Sequence, residues 1–248
     1  MRLGVLVPAG NPTIEPELYR MAPRGLSIHF ARLDTLAGEP GGTDGMERRT
    51  LAYLESLPAA TRSLAAVKPD AVVLAHTAVS YLSGFAGEPG LLARLRELTG
   101  ALSFTAASAI QAALHHLHTR RLALATPYPE SIGTAGRTFW QAAGFDVVAH
   151  RRLDTPNIYD ETEDRAYQLG LAAATPAADT LLISGTGLPT VGIIERLEKD
   201  LGTPVVTSQA AMLWHALQLL RLDEAVRGHG RLLATAPPPA RGGATASG

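Results

Sequence analysis

The amino-acid sequence predicts an α/β protein built from two similar halves, on the strength of three observations. Short apolar segments alternate with segments of helical periodicity along the whole chain. The central apolar segments carry apolar residues on both faces, as expected of strands that helices cover on both sides. The pattern of the first half recurs in the second. Strand–helix alternation of this kind implies parallel sheets joined by right-handed crossovers.

The periodicity predicts seven strands and eight helices. Strands are predicted at residues 3–7, 26–32, 71–75, 122–125, 145–151, 180–184 and 204–207. Helices are predicted at residues 13–21, 46–67, 89–98, 106–117, 129–143, 161–174, 190–201 and 208–220. Capping signals support several helix starts: Pro12 and Thr13 precede the first, Pro129 opens another, and Ser208 can cap the last.

Three segments of the first half recur in the same order in the second. AVVLAHT at 71–77 matches TLLISGT at 180–186, so that Thr77 corresponds to Thr186. TAAS at 105–108 matches TSQA at 207–210, and LVP at 6–8 matches ATP at 125–127. We therefore predict two flavodoxin-like half-domains with parallel sheets, related by a pseudo-twofold axis, with the active site between them.

The halves are predicted to span residues 1–117 and 118–233, with the last helix of each half able to pack on the other half. Residues 234–248 contain few large apolar side chains and are predicted to form a disordered tail.

Composition excludes several classes of function. The net charge is −1 and the basic residues are scattered, which argues against nucleic acid as a partner. No apolar stretch approaches the roughly 18 residues that span a bilayer, so we expect no membrane partner and a cytoplasmic location. The chain has no cysteine, which excludes disulfides, thiolate metal sites and thiol nucleophiles.

Polar and glycine residues follow the predicted strands at their carboxyl ends, where open α/β sheets bind ligands. Several of these loops lead into helix N-termini, which favour an anion. A small carboxylate is the predicted ligand. The candidate site residues are Asn11, His76, Thr77, Ser80, Tyr128, Asn157, Gly185, Thr186 and Gly187.

These segments carry a family resemblance. GVLVPAGNPTIE at 4–15, AHTAVS at 75–80, TPY at 126–128, SGTGLP at 184–189 and GTPVVTS at 202–208 resemble the aspartate/glutamate racemase superfamily. The likeness is to its branch of maleate cis-trans isomerases and arylmalonate decarboxylases. The resemblance implies an enzyme that needs no cofactor, forms a homo-oligomer and works between its two halves.

By the same resemblance, four side chains and nearby backbone N–H groups would bind a substrate carboxylate or a developing enediolate. The N–H groups are those near Thr186 and Gly187, and the side chains are Asn11, Thr77, Tyr128 and Asn157. Racemases and maleate isomerases of this superfamily usually place a cysteine after the third strand of each half, and the decarboxylase keeps only the second. This chain has His76 and Gly185 at those two positions.

His76 is the candidate acid or base, because the unperturbed pKa of imidazole, about 6.5, suits proton transfer. The resulting hypothesis is a lyase or isomerase that acts on a dicarboxylate or a substituted malonate, with His76 and Tyr128 as catalytic residues. Two alternatives stay open: a carboxylate-binding relative without activity, and a hydrolase or hydratase in which His76 activates water.

Each candidate also has a structural alternative. Thr77, Ser80 and Thr186 could cap helices, and Asn11 and Asn157 could form turns. Tyr128 could be a half-buried loop aromatic, and His76 could only donate a hydrogen bond or fill the place of a thiol. A histidine cluster on one predicted helix lacks a carboxylate at ligand spacing, so no metal site is predicted. The cluster consists of His115, His116 and His118.

Overall fold

The computed structural model describes residues 1–34 and 45–234. In this part of the chain the strands are β1 (Arg2–Pro8), β2 (Ser27–Leu33), β3 (Ala71–Leu74), β4 (Leu102–Thr105), β5 (Arg121–Thr126), β6 (Asp146–Arg152), β7 (Thr180–Ile183) and β8 (Val205–Thr207). The helices are α1 (Ile14–Met21), α2 (Met46–Ala65), α3 (Thr77–Ser83), α4 (Glu88–Thr99), α5 (Ala106–His116), α6 (Glu130–Ala142), α7 (Glu163–Ala173), α8 (Ile194–Leu201), α9 (Ser208–Leu220) and α10 (Arg231–Ala234).

The strands form two four-stranded parallel sheets of the same topology. The first has the order β2-β1-β3-β4 and the second the order β6-β5-β7-β8. The central strands are in matching register, with Leu3 opposite Ala71 in the first sheet and Leu122 opposite Thr180 in the second. This confirms the predicted α/β architecture of two equivalent halves. The predicted boundary at residue 117 lies between α5 and β5.

All seven predicted strands are present, and β4 is an eighth that the sequence analysis missed. It pairs only with β3 and begins at Leu102, whose side chain is half exposed, so its four residues lack a continuous apolar pattern. The analysis also missed α3, because its residues read as a loop that follows a strand. The predicted helix at 190 begins four residues later, at Ile194.

Each face of the first sheet packs into a different apolar cluster, because successive strand residues point to opposite sides. On β3, Val73 belongs to the main cluster, which extends through both halves, while Val72 and Leu74 face a smaller cluster with α2 and α4. Burial on both faces explains why these strands are apolar throughout.

Helices α5 and α9, one from each half, pack against each other. Small side chains allow the close approach, and Ala109, Ala113 and Ala216 are fully buried. Each helix begins after a threonine that ends a strand. The Oγ1 atom of Thr105 accepts from the Ser108 N–H at 2.9 Å, and that of Thr207 accepts from the Ala210 N–H at 3.3 Å.

Two predictions near the carboxyl end need correction. Ser208 does not cap α9; it is the first helical residue, and its hydroxyl accepts a hydrogen bond from the Gly185 N–H at 3.0 Å. Ala234, predicted to start the tail, ends α10. The rest of the predicted tail, residues 235–248, lies outside the described residues. None of the helices in the described ranges is long and apolar enough to span a membrane.

We predict that Thr207→Val lowers the free energy of unfolding by about 1 kcal/mol, the usual contribution of a helix N-cap. Valine preserves the volume of the buried side chain but leaves the Ala210 N–H without its acceptor. Thr203→Val is the control, because the half-buried Thr203 hydroxyl makes only a 3.4 Å contact with the Leu201 carbonyl. Urea denaturation measures both. Equal stability of the two variants would contradict the capping role.

Candidate active site

The loops that follow the strands of the two sheets meet between the halves, and we call this meeting region the cleft. It is built from β1, β3, β5 and β7, the two central strands of each sheet. Parallel strands bring their carboxyl ends to one edge of a sheet, so residues far apart in sequence become neighbours there. The segments concerned follow Pro8, Leu74, Thr126 and Ile183.

His76 follows β3 and immediately precedes α3. Its side chain is only 3% exposed, and the ring stands edge-on to Tyr53 with the centroids 5.3 Å apart. The Nδ1 atom is buried and has no hydrogen-bond partner among the described residues. Burial lowers the pKa of His76 to about 3. The imidazole is therefore neutral at ordinary pH when the cleft is empty.

Thr77 and Tyr128 join the two halves through their hydroxyl groups. Thr77 is the first residue of α3, Tyr128 follows β5, and their oxygen atoms are 2.5 Å apart. Both side chains are buried. Burial raises the pKa of Tyr128 above the ordinary value for a phenol. Tyr128 therefore keeps its proton and can donate a hydrogen bond. Thr77 bonds to this tyrosine and does not cap a helix.

Thr186 is held by contacts to both halves. Its hydroxyl donates to the Ala75 carbonyl at 2.9 Å, and its own carbonyl accepts from Asn11 at 3.1 Å and from Gln209 at 3.3 Å. Within the described residues, the N–H groups of Thr186 and Gly187 have no hydrogen-bond acceptor. These two donors are the ones that the sequence analysis assigned to an anion.

Asn11 and Asn157 both use their side chains within the protein. Asn11 accepts from the N–H groups of Thr13 and Ile14 through Oδ1, while its amide nitrogen reaches Thr186. Asn11 therefore supports the turn that leads into α1 and ties the halves together. Asn157 acts locally: it accepts from the Tyr159 N–H at 3.2 Å and donates to Asp160 at 2.9 Å. Substrate binding by these two residues stays a prediction. The contacts of Asn157 are those of a turn-forming residue, the structural alternative given above.

Ser80 is buried on α3 and faces Glu88 of α4, a buried carboxyl that also accepts a hydrogen bond from Thr105. Burial raises the pKa of Glu88, and the neighbouring hydroxyls of Thr105 and Ser80 lower it by less. A contact between Ser80 and substrate therefore also stays a prediction.

Gly185 occupies a position that has no room for a side chain. A Cβ atom there would lie 2.7 Å from two ring carbons of Pro127, and its φ of +147° is rare for residues with side chains. Its N–H group is already bonded to the Ser208 hydroxyl. The second of the two positions where related proteins usually have cysteine is thus closed by Pro127.

Sequence analysis missed three aromatic residues of the cleft. Tyr53 of α2 contacts His76, and the ring of Tyr159 covers Gly187, where a Cβ atom would approach it to 2.6 Å. Tyr81 of α3 accepts a hydrogen bond from Trp140 at 2.9 Å and shares one with Ser184 in the other half. Only Tyr53 lies in a predicted helix, where it reads as a core residue, whereas Tyr81 and Tyr159 lie in segments predicted as loops. Gly187 could have indicated the Tyr159 contact, because a residue without a side chain lets an aromatic ring approach the backbone.

No group of three or more histidine, aspartate or glutamate side chains in the described ranges could hold a metal ion. The chemistry available in the cleft is hydrogen-bond donation from neutral hydroxyls and backbone amides, with one buried imidazole beside them.

Comparison with known proteins identifies the family. A family model described as arylmalonate decarboxylase matches residues 3–233. The chain belongs to the arylmalonate decarboxylase family. It is 31% identical to arylmalonate decarboxylase from Bordetella bronchiseptica over 241 residues, covering 92% of this chain and 91% of that protein. It is 28% identical to maleate isomerase from Nocardia farcinica over 250 residues, covering 94% and 95%.

Solved structures of family members show the same fold. The crystal structure of arylmalonate decarboxylase aligns with a TM-score of 0.78 at 28% identity, covering 95% of this chain and all of that one. A cysteine-to-alanine variant of maleate isomerase from Pseudomonas putida S16, crystallised with maleate, aligns with a TM-score of 0.86 at 20% identity, covering 95% and 98%. The predicted family resemblance is thus confirmed.

We predict that Gly185→Ala destabilises the protein by about 1–3 kcal/mol, as expected when a packed site receives an extra methyl group. The new Cβ atom would press on the rigid Pro127 ring. Gly90→Ala on α4 is the control, since a Cβ atom there meets nothing within 4 Å, and alanine favours a helix. Thermal unfolding compares the two. A Gly185→Ala variant as stable as the wild type would show that a side chain fits here.

Proposed function

We propose that the protein is a cofactor-independent lyase or isomerase acting on a small carboxylic acid, most simply a decarboxylase of a substituted malonate or related dicarboxylate. One observation carries the proposal. The Thr77–Tyr128 hydroxyl pair lies between the halves together with the unpaired N–H groups of Thr186 and Gly187 and the buried ring of His76. Such a set of neutral donors suits one carboxylate and the negative charge that develops next to it.

The relatives support this substrate class. They include an arylmalonate decarboxylase at 31% identity and a maleate isomerase at 28% identity, each matched over nearly its whole length. The names of both relatives refer to small dicarboxylic acids.

In the proposed binding step, one substrate carboxylate accepts hydrogen bonds from the Thr186 and Gly187 amides and from the Tyr128 hydroxyl, while Thr77 donates its own proton to the Tyr128 oxygen. These donors are held before substrate arrives, because Thr186 is fixed to Ala75 and Asn11 and because Thr77 is paired with Tyr128. Preorganised donors stabilise developing charge without a reorganisation cost at the moment of reaction.

In the chemical step, the bond between the α-carbon and the other carboxylate breaks, and carbon dioxide leaves. The electron pair moves into the retained carboxylate and gives an enediolate, whose two oxygen atoms are stabilised by the donors that held the carboxylate. A proton then adds to the α-carbon, and the product is the monocarboxylate with one carbon fewer.

We propose that His76 delivers this proton. Its pKa is low in the empty cleft because the ring is buried. An anionic substrate beside the ring favours the charged imidazolium and raises that pKa, so the ring can take up a proton as substrate binds. Transfer to carbon returns the ring to its neutral form. In an isomerisation through the same enediolate, the ring would remove the α-proton and then return a proton to the α-carbon.

The absence of cysteine separates the proposed reaction from that of some relatives. A maleate cis-trans isomerase variant from Nocardia farcinica has been crystallised with a covalently bound succinylcysteine intermediate. A chain without cysteine cannot form such an intermediate. Decarboxylation needs only one proton donor. This fits a chain that has a histidine, His76, at the first of the two matching positions and a glycine, Gly185, at the second.

We predict that His76→Gln reduces the release of carbon dioxide from the best substrate in a malonate panel by at least about a hundredfold, the lower range for general acid–base catalysis. His29→Gln on β2 is the control and should keep full activity. Product formed by the wild type in deuterium oxide should carry one deuterium and be a single enantiomer.

Three outcomes would contradict the proposal. Undiminished turnover in His76→Gln would remove His76 from the mechanism. Tight malonate binding by calorimetry without turnover of any panel member would favour a binding protein. Oxygen-18 incorporation from water into the product would favour a hydratase or hydrolase.

A further inference from the structure

Glu17 is a buried carboxylate of α1 that reaches into the second half. Its Oε1 atom accepts from the N–H groups of Thr190 and Val191 at 2.6 and 2.8 Å. Its Oε2 atom is buried and has no hydrogen-bond partner among the described residues. The side chain is only 6% exposed. Oε1 thus accepts two hydrogen bonds and Oε2 accepts none. Burying a charged carboxylate with one oxygen unsatisfied is costly, so this arrangement is unusual for a purely structural residue.

The two amides that Glu17 holds end the segment 185–191, which we call the cleft loop. The first half also contacts this loop at two earlier points: Asn11 donates to the Thr186 carbonyl, and the Thr13 hydroxyl donates to the Gly187 carbonyl at 2.9 Å. Gln209 of α9 donates to the carbonyls of Thr186 and Leu188. Glu17 is the ionisable group among these supports.

We propose that Glu17 is a positioning residue that fixes the cleft loop, and that its ionised form holds the Thr186 and Gly187 N–H groups in place to bind a carboxylate. The part of this inference that concerns substrate rests on the proposed function. The part that concerns the loop does not.

Charged groups from several elements surround Glu17. Burial raises its pKa to about 7, and Glu163 of α7 raises it further, while the Thr190 and Val191 N–H groups and Arg20 of α1 oppose the rise. Glu163 forms a 3.3 Å ion pair with Arg20 and accepts from the Gly192 N–H. Glu17, Arg20 and Glu163 line one surface cavity, and Glu161 lines it as well. His229 and Glu195 complete the surroundings: His229 interacts electrostatically with Arg20 and with Glu195, and it hydrogen-bonds to the Val191 backbone.

The sign of the pH effect follows from these groups. Above a pH of about 7, the carboxylate is ionised and makes two charge-assisted hydrogen bonds to the loop. As the pH falls through that value, a proton binds, and the unpaired Oε2 is the oxygen free to carry it. Oε1 then becomes a neutral acceptor, the two bonds weaken, and the cleft loop is held less firmly.

Amide chemical shifts of the ligand-free protein test the loop directly. The Thr190 and Val191 amides should titrate with a midpoint near the Glu17 pKa of about 7, and the Thr186 and Gly187 amides should follow with the same midpoint. Glu17→Gln keeps an oxygen acceptor and should remove the titration. Glu163→Gln is the matched control: it should move the midpoint to lower pH and leave the pattern at pH 8 unchanged.

Malonate affinity, measured by calorimetry, tests the consequence. The ratio of wild-type affinity to Glu17→Gln affinity should fall as the pH drops through 7, because any proton uptake by His76 affects both proteins alike. Glu17→Ala should bind malonate about tenfold more weakly at pH 8, because the loop loses both charge-assisted hydrogen bonds from its amides. In a turnover assay, Glu17→Ala should raise KM by a larger factor than it lowers kcat.

Thr186 and Gly187 amides that do not follow the Glu17 titration would overturn the proposal, and so would a Glu17→Ala variant with wild-type affinity. If Glu17→Ala does not fold, the wild-type and Glu17→Gln titrations still decide. If the amides titrate together but no malonate is turned over, the positioning role stands and the proposed function fails.

Discussion

Polar side chains buried between two halves of a protein need hydrogen-bond partners, and in this cleft several of them find those partners in the opposite half. Removing such groups from water costs free energy unless the bonds are made. Thr77 of the first half meets Tyr128 of the second, Asn11 meets Thr186, and Thr186 in turn meets Ala75. Each bond both pays the desolvation cost and fixes a group at the site.

The two equivalent sheets make this arrangement possible, but the cleft itself is not symmetric. Thr77 and Thr186 occupy matching positions and turn to different partners, a tyrosine hydroxyl and a backbone carbonyl. The positions before them differ more. His76 brings a buried ring to one side, while Gly185 leaves the other side to Pro127. A symmetric scaffold therefore carries one buried imidazole at the first position and no side chain at the second, which suits the proposed reaction, because that reaction adds or removes a single proton.

The sequence was sufficient to predict the fold, and the candidate site residues were chosen by the same local rules. Alternating periodicity identifies strands and helices, and parallel topology places strand ends together. The partners could not be predicted in the same way. Asn11 and Thr186 are 175 residues apart, and Tyr81 and Ser184 are 103 apart, so no local pattern relates them. Glu17 looked like an ordinary first-turn glutamate of α1 until the structure placed it against Thr190.

The most direct test of the account is a crystal structure of the wild-type protein with malonate. We predict one malonate carboxylate within hydrogen-bond distance of the Tyr128 hydroxyl and the Thr186 and Gly187 N–H groups, with the central carbon facing the His76 ring. Malonate bound elsewhere, or bound in the cleft with His76 turned away from its central carbon, would contradict the account.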